Sequence, residues 1–263
     1  MGDKFRGYNI LGNIAIINFS NNVKQKDKKK FAKQILENNK SVKTVLEKSK
    51  NFSGRLRKMQ TSYLAGKKTK EALYKENNCT FRFNVDDTYF SPKLSNERKE
   101  IASLIKKNSE VLVMFAGVAP FSIVIAKNSK AKKVYSNELN RQANKYAKLN
   151  IELNKLKNKI ELLNGDIKKI TEKLKKEKKK FDFIVMPRPQ LKDTFLEQAF
   201  ALSKKKTKII YYDFCRINEI EKIKEKIFAQ AKLSKKKIKI LKTKKAGETA
   251  PYKIRVRIDL VVL

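Results

Sequence analysis

The chain has 263 residues, enough for one large domain or two moderate ones, and its 41% hydrophobic content excludes wholesale disorder. Histidine is absent, which excludes imidazole catalysis, so any proton transfer falls to carboxylates, lysines or tyrosines. The net charge of +38 favours a polyanion such as nucleic acid as the partner, although a general preference for lysine on solvated surfaces is the alternative explanation.

The cysteines and the apolar runs restrict the compartment. Cys79 and Cys215 lie far apart without a CxxC spacing, which argues against a zinc site or a disulfide framework. The longest apolar runs, 10–19 and 111–118, are shorter than the roughly 18 residues that span a membrane. The first residues lack the apolar stretch of a signal peptide. We expect a cytoplasmic protein with no metal and no membrane partner, and we take it to be a monomer.

Residues 1–88 are predicted to form a small α+β module. Apolar residues alternate with polar ones through most of this region, which is typical of half-buried strands. One stretch instead has the spacing of a helix. The predicted strands cover 8–19, 41–50, 52–65 and 79–90, and the predicted helix covers 27–37.

Residues 89–263 are predicted to form an α/β domain with a doubly wound, Rossmann-type sheet. Short apolar runs alternate with helical stretches, which favours parallel strands covered by helices on both faces. The last two strands alternate in the manner of an antiparallel hairpin at the edge of the sheet. The predicted strands are 111–115, 132–136, 159–163, 181–186, 207–212, 236–242 and 252–262, and the predicted helices begin at 120 and cover 140–154, 168–180, 191–203 and 218–233.

Four features follow the predicted parallel strands, at the edge where such sheets bind ligands. Gly117 lies in a turn of small residues, where the backbone can approach a ligand. Glu138 can accept hydrogen bonds from the hydroxyls of a ribose, and Asp166 can accept one from an adenine amino group. Pro187 and Pro189 stiffen the next loop. Each feature has an ordinary explanation in packing, capping or turn formation, but together they predict a site for a nucleoside cofactor.

The segment 89–98 (YFSPKLSNER) is the most distinctive motif. Ser95 or Asn96 is predicted to cap a helix over 96–107. Glu97 then lies in the first helical turn, where the helix dipole favours a carboxylate, and Arg98 is expected to be a solvated neighbour. The pattern alone gives neither residue a chemical role.

These motifs resemble the archaeal and eukaryotic tRNA (guanine(37)-N1)-methyltransferases, a class I, Rossmann-type family. The resemblance extends over nearly the whole chain, and its two central motifs are specific in combination. Because the first turn lacks the full GxGxxG pattern of dinucleotide sites, S-adenosylmethionine is favoured over NAD. The matching segments are YNILGNIAII at 8–17, GRLR at 54–57, LAG at 64–66, YKEN at 74–77, FSPKLSNER at 90–98, MFAGVAPF at 114–121, APYK at 250–253 and VRID at 256–259.

The resemblance implies a role for each matching residue. Glu97 would be the general base that takes the proton from guanine N1, and Arg57 would donate to guanine O6 as negative charge develops. The partner would be the anticodon stem-loop of tRNA, with the target base flipped out of its stack. The implied S-adenosylmethionine site consists of Tyr89, Arg98, Phe115, Gly117, Pro120, Phe121, Glu138, Leu139, Asn140, Asp166, Ile167, Pro187 and Pro189.

Three positions depart from the family pattern, and two other functions stay open. Ala119 replaces a usual glycine, Arg141 a usual proline, and Pro187 a usual asparagine in the loop after the fourth parallel strand. One alternative is a wyosine-pathway enzyme that transfers an aminocarboxypropyl group or methylates a tricyclic guanine derivative. Another is a tRNA-binding protein with weakened catalysis. The Pro92-Lys93-Leu94 triplet favours N1-methylation over aminocarboxypropyl transfer.

Overall fold

The computed structural model describes residues 5–20, 22–53, 58–187, 193–250 and 252–263. Within these residues the strands form a four-stranded, a two-stranded and a seven-stranded sheet. No helix of the described residues is long and apolar enough to cross a membrane.

The four-stranded sheet is formed by the N-terminal part of the chain. Its elements are β1 (Phe5–Leu11), β2 (Ile14–Phe19), α1 (Gln25–Asn38), β3 (Thr44–Ser53) and β4 (Lys58–Gly66). The strand order is β1-β2-β3-β4, with β2 and β3 parallel and joined by α1. Because side chains alternate along a strand, Ala15 and Ile17 pack beneath α1, whereas Ile14 and Ile16 join the core of the larger sheet.

A hairpin of β5 (Glu71–Glu76) and β6 (Cys79–Asn84) connects the two larger sheets. The sequence did not predict β5, whose alternating pattern is short and interrupted by charged residues. Asn77 and Asn78 both have left-handed backbone angles, as a two-residue hairpin turn requires. The predicted strand 79–90 ends at Asn84, because the Asn84 side chain and carbonyl accept hydrogen bonds from residues 86–88 and start a turn.

The seven-stranded sheet confirms the predicted doubly wound α/β fold. Its strands are β7 (Glu110–Val113), β8 (Lys133–Glu138), β9 (Ile160–Asn164), β10 (Phe181–Met186), β11 (Ser203–Arg216), β12 (Ile238–Ala250) and β13 (Lys253–Val262). The order is β12-β13-β11-β10-β7-β8-β9, with the last five strands parallel and the C-terminal hairpin antiparallel at the edge. The chain passes from β7 toward β9 and then returns to β10 and β11. A topological switch point therefore lies between β7 and β10, where such sheets bind ligands.

Helices cover both faces of this sheet. They are α2 (Ser95–Leu104), α3 (Pro120–Asn128), α4 (Arg141–Leu153), α5 (Ile167–Lys176), α6 (Leu196–Ala201) and α7 (Ile220–Leu233). Val111 and Val113 face α2, α3 and α4, whereas Leu112 and Met114 face α5, α6 and α7. This two-sided burial explains the nearly continuous apolar runs of the parallel strands.

Three predicted helices have wrong boundaries, and the one predicted over 96–107 also ends earlier, at Leu104. A 3-10 turn, Pro92–Leu94, runs directly into α2, so Ser95 and Asn96 lie inside the helix and Leu94 precedes it without a side-chain cap. The helix predicted over 168–180 ends at Lys176, and Lys178 adopts a left-handed conformation that a helix cannot contain. The helix predicted over 191–203 covers only 196–201 of the described residues, because Ser203 already pairs in β11.

Two asparagines of α4 attach the hairpin to the larger domain. Asn150 Oδ1 accepts the Arg82 N–H at 2.7 Å, and its Nδ2 donates to the carbonyls of Arg82 and Val118. Asn154, one turn later, makes the equivalent pair of bonds with the backbone of Thr80. The two side chains thus make the hydrogen bonds to the β6 backbone that a neighbouring strand would otherwise make. The boundary predicted between residues 88 and 89 stays a prediction.

Candidate active site

A cavity lies at the switch point of the seven-stranded sheet, beyond the carboxyl ends of β7, β8, β9 and β10. All the described residues that were predicted to bind the cofactor line it: Tyr89, Arg98, Phe115, Gly117, Pro120, Phe121, Glu138, Leu139, Asn140, Asp166, Ile167 and Pro187. Pro189 and Arg188 lie outside the described residues. Residues that are distant in sequence are thus brought together by the parallel arrangement of the strands.

The turn between β7 and α3 has an unusual backbone. Phe115, Gly117 and Ala119 all have positive φ angles, of +59°, +59° and +66°. A side chain in this left-handed region costs roughly 1–2 kcal/mol, and such strain is concentrated at ligand sites. Ala119 therefore occupies a position that favours glycine, which gives a physical reason for the glycine usual in the family. Pro120 then begins α3 at a position where its missing N–H is no loss.

Glu138 connects this turn to the end of β8. Its Oε2 accepts the Gly117 N–H at 2.7 Å, and its Oε1 accepts the Asn140 N–H at 2.7 Å. Burial raises the pKa of the Glu138 carboxyl, whereas these backbone donors lower it. The carboxylate oxygens thus fix the shape of the cavity that Glu138 lines. Such oxygens can accept further hydrogen bonds from ligand hydroxyls.

Asp166, Phe115 and Phe195 also line the cavity. Asp166 caps α5 by accepting the Lys168 N–H at 3.0 Å, so the capping role and the position beside the cavity coexist. Phe195, which sequence reasoning missed, contacts Phe115 edge to face with ring centroids 5.0 Å apart. Phe195 also has a positive φ angle, of +56°. Two strained phenylalanines therefore make an apolar wall that can pack against a flat ring.

Arg98 is buried, so the expectation of a solvated neighbour was wrong. Its Nη2 donates to Glu76 Oε2 at 2.6 Å and to the Ser91 carbonyl at 3.0 Å, and its Nε also donates to Glu76. The guanidinium lies 5.1 Å from the ring centre of Phe90 and 5.6 Å from that of Phe121. This ion pair ties the hairpin to α2 beside the cavity, and only the fold brings its partners together.

Glu97 belongs to a buried charge cluster behind the cavity. Its Oε2 accepts the Tyr212 hydroxyl at 2.8 Å and lies 3.2 Å from Arg257 Nη1, while its Oε1 lies 2.6 Å from Lys244 Nζ. Asp259 binds the fully buried Arg257 through two further hydrogen bonds. Glu97 is not among the described residues that line the cavity, whereas Tyr212 is. This placement differs from that of an ordinary exposed helix-start acid.

Arg57, which is predicted to donate a hydrogen bond to guanine O6, lies outside the described residues. The described part of β4 is hydrogen-bonded to Asp86, three residues before Tyr89. The Met59 N–H donates to the Asp86 carbonyl at 3.1 Å, and Thr61 Oγ1 donates to Asp86 Oδ1 at 2.7 Å. The next carbonyl, of Asp87, accepts the side chain of Asn140, which lines the cavity. The N-terminal sheet is therefore attached to the segment that leads into Tyr89.

Sequence reasoning also missed Tyr212 and Arg255, which line the cavity from β11 and β13. Both strands were predicted, but the antiparallel pairing that brings β13 beside β11 has no local signature. Arg255 lies over the ring of Phe214, its partner across the two strands, at 5.1 Å. Tyr212 faces α3, with its ring 6.1 Å from that of Phe121.

Two known protein families together match almost the whole chain. Residues 72–241 match the TRM5/TYW2 methyltransferase domain, and residues 1–69 match the TYW2 N-terminal domain. The two matches meet just before β5, so the hairpin falls with the larger domain in this comparison.

Individual relatives and solved structures are similar to this chain over nearly its full length. The tRNA (guanine(37)-N(1))/4-demethylwyosine(37)-methyltransferase Taw22 of Nanoarchaeum equitans is 34% identical over 97% of this chain and 99% of its own length. The crystal structure of Trm5b from Pyrococcus abyssi is 31% identical, with a TM-score of 0.85 over 98% of this chain and 75% of that one. Methanocaldococcus jannaschii Trm5 in complex with adenosine is 27% identical, with a TM-score of 0.81 over 99% of this chain and 75% of that one.

Proposed function

This chain belongs to the TRM5/TYW2 methyltransferase family, and we propose that it transfers a methyl group from S-adenosylmethionine to N1 of guanine 37 in the anticodon loop of tRNA. The observation that carries the proposal is that the strand-end acids, the strained turn and the YFSPKLSNER segment all line one cavity. Glu97 lies directly behind that cavity, one hydrogen bond away from a residue that lines it.

The residues of the cavity fit a nucleoside cofactor. Glu138, which lines the cavity at the end of β8, is proposed to accept hydrogen bonds from ribose hydroxyls, as acids at this position do in related sheets. Ile167, Phe115 and Pro187 offer apolar surfaces for the faces of a purine ring. When bound there, S-adenosylmethionine supplies an electrophilic methyl group. The solved complex of a related protein with adenosine supports this choice of cofactor.

The chemistry of guanine is the basis for the roles that we propose for Glu97 and Arg57. N1 of guanine carries a hydrogen and becomes a nucleophile when that proton is removed. Glu97 is proposed as the final acceptor of the proton, a role that needs no histidine. Arg57 is proposed to donate to guanine O6, where negative charge develops as N1 loses its proton.

The proposed partner is the anticodon stem-loop of tRNA. The net charge of +38 suits a phosphate-rich ligand, since neutralised phosphates release their counterions. The target base must leave its stack to reach an enclosed cavity, and an anticodon loop allows this at modest cost.

A second candidate reaction is methylation of the tricyclic base 4-demethylwyosine at the same tRNA position. The Nanoarchaeum relative, which matches this chain over almost its full length, carries a name that includes both activities. The N-terminal match to the TYW2 family favours the same alternative. Both reactions use the same cofactor and the same position of the tRNA.

Mass spectrometry of nucleosides can distinguish these possibilities. The protein is incubated with S-adenosylmethionine and one of three tRNAs that are identical except at position 37, which carries guanine, adenine or 4-demethylwyosine. The main proposal expects 1-methylguanosine from the first tRNA and no product from the second. A methylated product from the third tRNA alone would replace it with the second candidate.

Two further outcomes would reject the proposal. Transfer of an aminocarboxypropyl group instead of a methyl group would identify the chain as the aminocarboxypropyl transferase of the wyosine pathway. Tight binding of the cofactor and the tRNA without any product would indicate a binding protein. Calorimetry with S-adenosylhomocysteine identifies this last case, because it measures the cofactor site without the reaction.

A further inference from the structure

We propose that Tyr212 is a catalytic residue that relays the guanine N1 proton to Glu97. This inference rests on the proposed function, which supplies the base and its proton. Its starting point is the placement of the two side chains: Tyr212 lines the cavity, whereas Glu97 does not. The Tyr212 hydroxyl and Glu97 Oε2 are 2.8 Å apart, so the phenol connects the carboxylate to the cavity.

The strand register fixes the position of Tyr212. It lies in β11 opposite Arg257 of β13, and its side chain points toward α3, with its ring 6.1 Å from that of Phe121. Only 1% of Tyr212 is exposed to solvent. A residue so enclosed has little freedom to move aside. A proton that travels from the cavity to Glu97 therefore meets the phenol first.

The charges around Glu97 hold it in place as a proton acceptor. Lys244 lies 2.6 Å from Oε1, and Arg257 lies 3.2 Å from Oε2. These cations thus contact both oxygens of the carboxylate, and rotation of Glu97 into the cavity would break both contacts. That rotation would also leave the buried Arg257 with only Asp259 and Glu100 as its carboxylate partners, which would make it costly.

The phenol is suited to passing a proton on and unsuited to losing one by itself. Burial raises the pKa of Tyr212 well above its usual value, and the nearby negative charge of Glu97 raises it further. Tyr212 therefore stays protonated in the resting protein and donates to Glu97. It releases its proton to the carboxylate only as it receives another from the substrate.

The proposed step is a concerted transfer of two protons. The N1–H bond of guanine breaks and its proton bonds to the Tyr212 oxygen, while the Tyr212 O–H bond breaks and that proton bonds to Glu97 Oε2. The electron pair left on N1 is then available to bond with the methyl carbon. The phenol is regenerated, and Glu97 ends the step as a neutral carboxylic acid.

The test compares Tyr212→Phe with Tyr211→Phe as the matched control. Tyr211 is the adjacent tyrosine, equally buried, but it faces the opposite side of the sheet and donates to Asp213. The rate of methyl transfer is measured in a single turnover, with saturating S-adenosylmethionine and tRNA. We expect Tyr212→Phe to react about 100-fold or more slowly than the parent, which is the usual range for general-base catalysis. Tyr211→Phe should stay near the parental rate.

Two additional measurements separate a relay from a structural role. Tyr212→Phe should bind S-adenosylhomocysteine and tRNA as the parent does. Combining it with Glu97→Gln should slow the reaction no more than either change alone, because residues that act as a unit are not additive. A loss of cofactor affinity as large as the loss of rate would make Tyr212 a wall of the cavity and overturn the relay.

The outcomes also separate the relay from the proposed function. If Tyr212→Phe retains or exceeds the parental rate while Glu97→Gln loses it, Glu97 acts directly and the relay is wrong. If Glu97→Gln also retains the parental rate, neither residue carries the proton. The identity of the methylated nucleoside decides the proposed function in either case, since it does not depend on which residue accepts the proton.

Discussion

The Gly117 N–H and Glu138 Oε2 are joined by a hydrogen bond of 2.7 Å that links the first turn of the cavity to the end of β8. The other oxygen of the same carboxylate accepts the Asn140 N–H at the start of α4. One side chain therefore fixes two backbone segments that line the cavity, so the cavity is shaped before a ligand enters.

Replacing Glu138 by glutamine should weaken binding of S-adenosylhomocysteine by roughly 1–3 kcal/mol, or about 5- to 150-fold, as expected for loss of hydrogen bonds to a charged acceptor. The amide keeps the shape of the side chain but has one acceptor oxygen, so at least one of its two backbone partners loses its bond. Isothermal titration calorimetry measures the effect.

Glu161→Gln is the matched control for this change. Glu161 lies in β9 and pairs with Lys133 on the surface. Its replacement should leave the affinity unchanged. If Glu138→Gln binds S-adenosylhomocysteine as tightly as the parent, the cofactor site lies elsewhere.

Asn150→Ala should destabilise the protein by about 2–3 kcal/mol, because the buried amide satisfies the backbone of Arg82 and the carbonyl of Val118. Val118 belongs to the first turn of the cavity, so cofactor affinity should also fall. Urea unfolding measures the stability, and Asn158→Ala, at an exposed position after α4, serves as the control. Equal stability of the two variants would mean that the Asn150 bonds contribute nothing, and that Asn154 and the apolar contacts hold the hairpin.

The sequence predicted the parts of the site that depend on local pattern. Gly117, Glu138 and Asp166 each follow an apolar run, and the carboxyl ends of parallel strands meet at one edge of a sheet. Recognising the strands was therefore sufficient to bring these residues together. The same logic predicted the doubly wound topology and the antiparallel C-terminal hairpin.

The remaining contacts depend on pairings between distant segments. Tyr212 and Glu97 are 115 residues apart, and Arg98 meets Glu76 only because the hairpin folds against α2. No periodicity marks such partners, so Arg98 was interpreted as solvated. Ser95 likewise has the residue type of a helix cap, but the 3-10 turn before it places the residue inside the helix.

The affinity for tRNA should fall steeply as salt is added. Each phosphate that a lysine or arginine neutralises should contribute about −0.7 to −0.9 to the slope of log K against log salt concentration. Filter binding of an anticodon stem-loop at several salt concentrations measures this slope. A flat response would mean that the charge of +38 is carried by surfaces that do not contact the RNA.

Glu100→Gln should reduce the free energy of unfolding at neutral pH, and the difference from the parent should shrink in acid. A hydrogen bond from Lys244, helped by the charge of Arg257, lowers the pKa of the Glu100 carboxyl from 4.5 to about 2 against the opposing effect of burial. A carboxyl whose pKa is lowered on folding stabilises the protein above its unfolded pKa, and this contribution is lost as the pH falls through its folded pKa. The two proteins should therefore differ most above pH 5 and converge toward pH 2.

Urea unfolding at a series of pH values measures this convergence. Glu221→Gln is the control, because Glu221 is an exposed acid of α7 that pairs only with the neighbouring Lys224 among the described residues. Its curve should run parallel to that of the parent, since the loss of an exposed pair has little effect on stability. A constant gap between Glu100→Gln and the parent down to pH 2 would show that Glu100 acts through packing. The charge cluster that joins α2 to β12 and β13 would then hold Glu97 in place without the help of the Glu100 carboxylate.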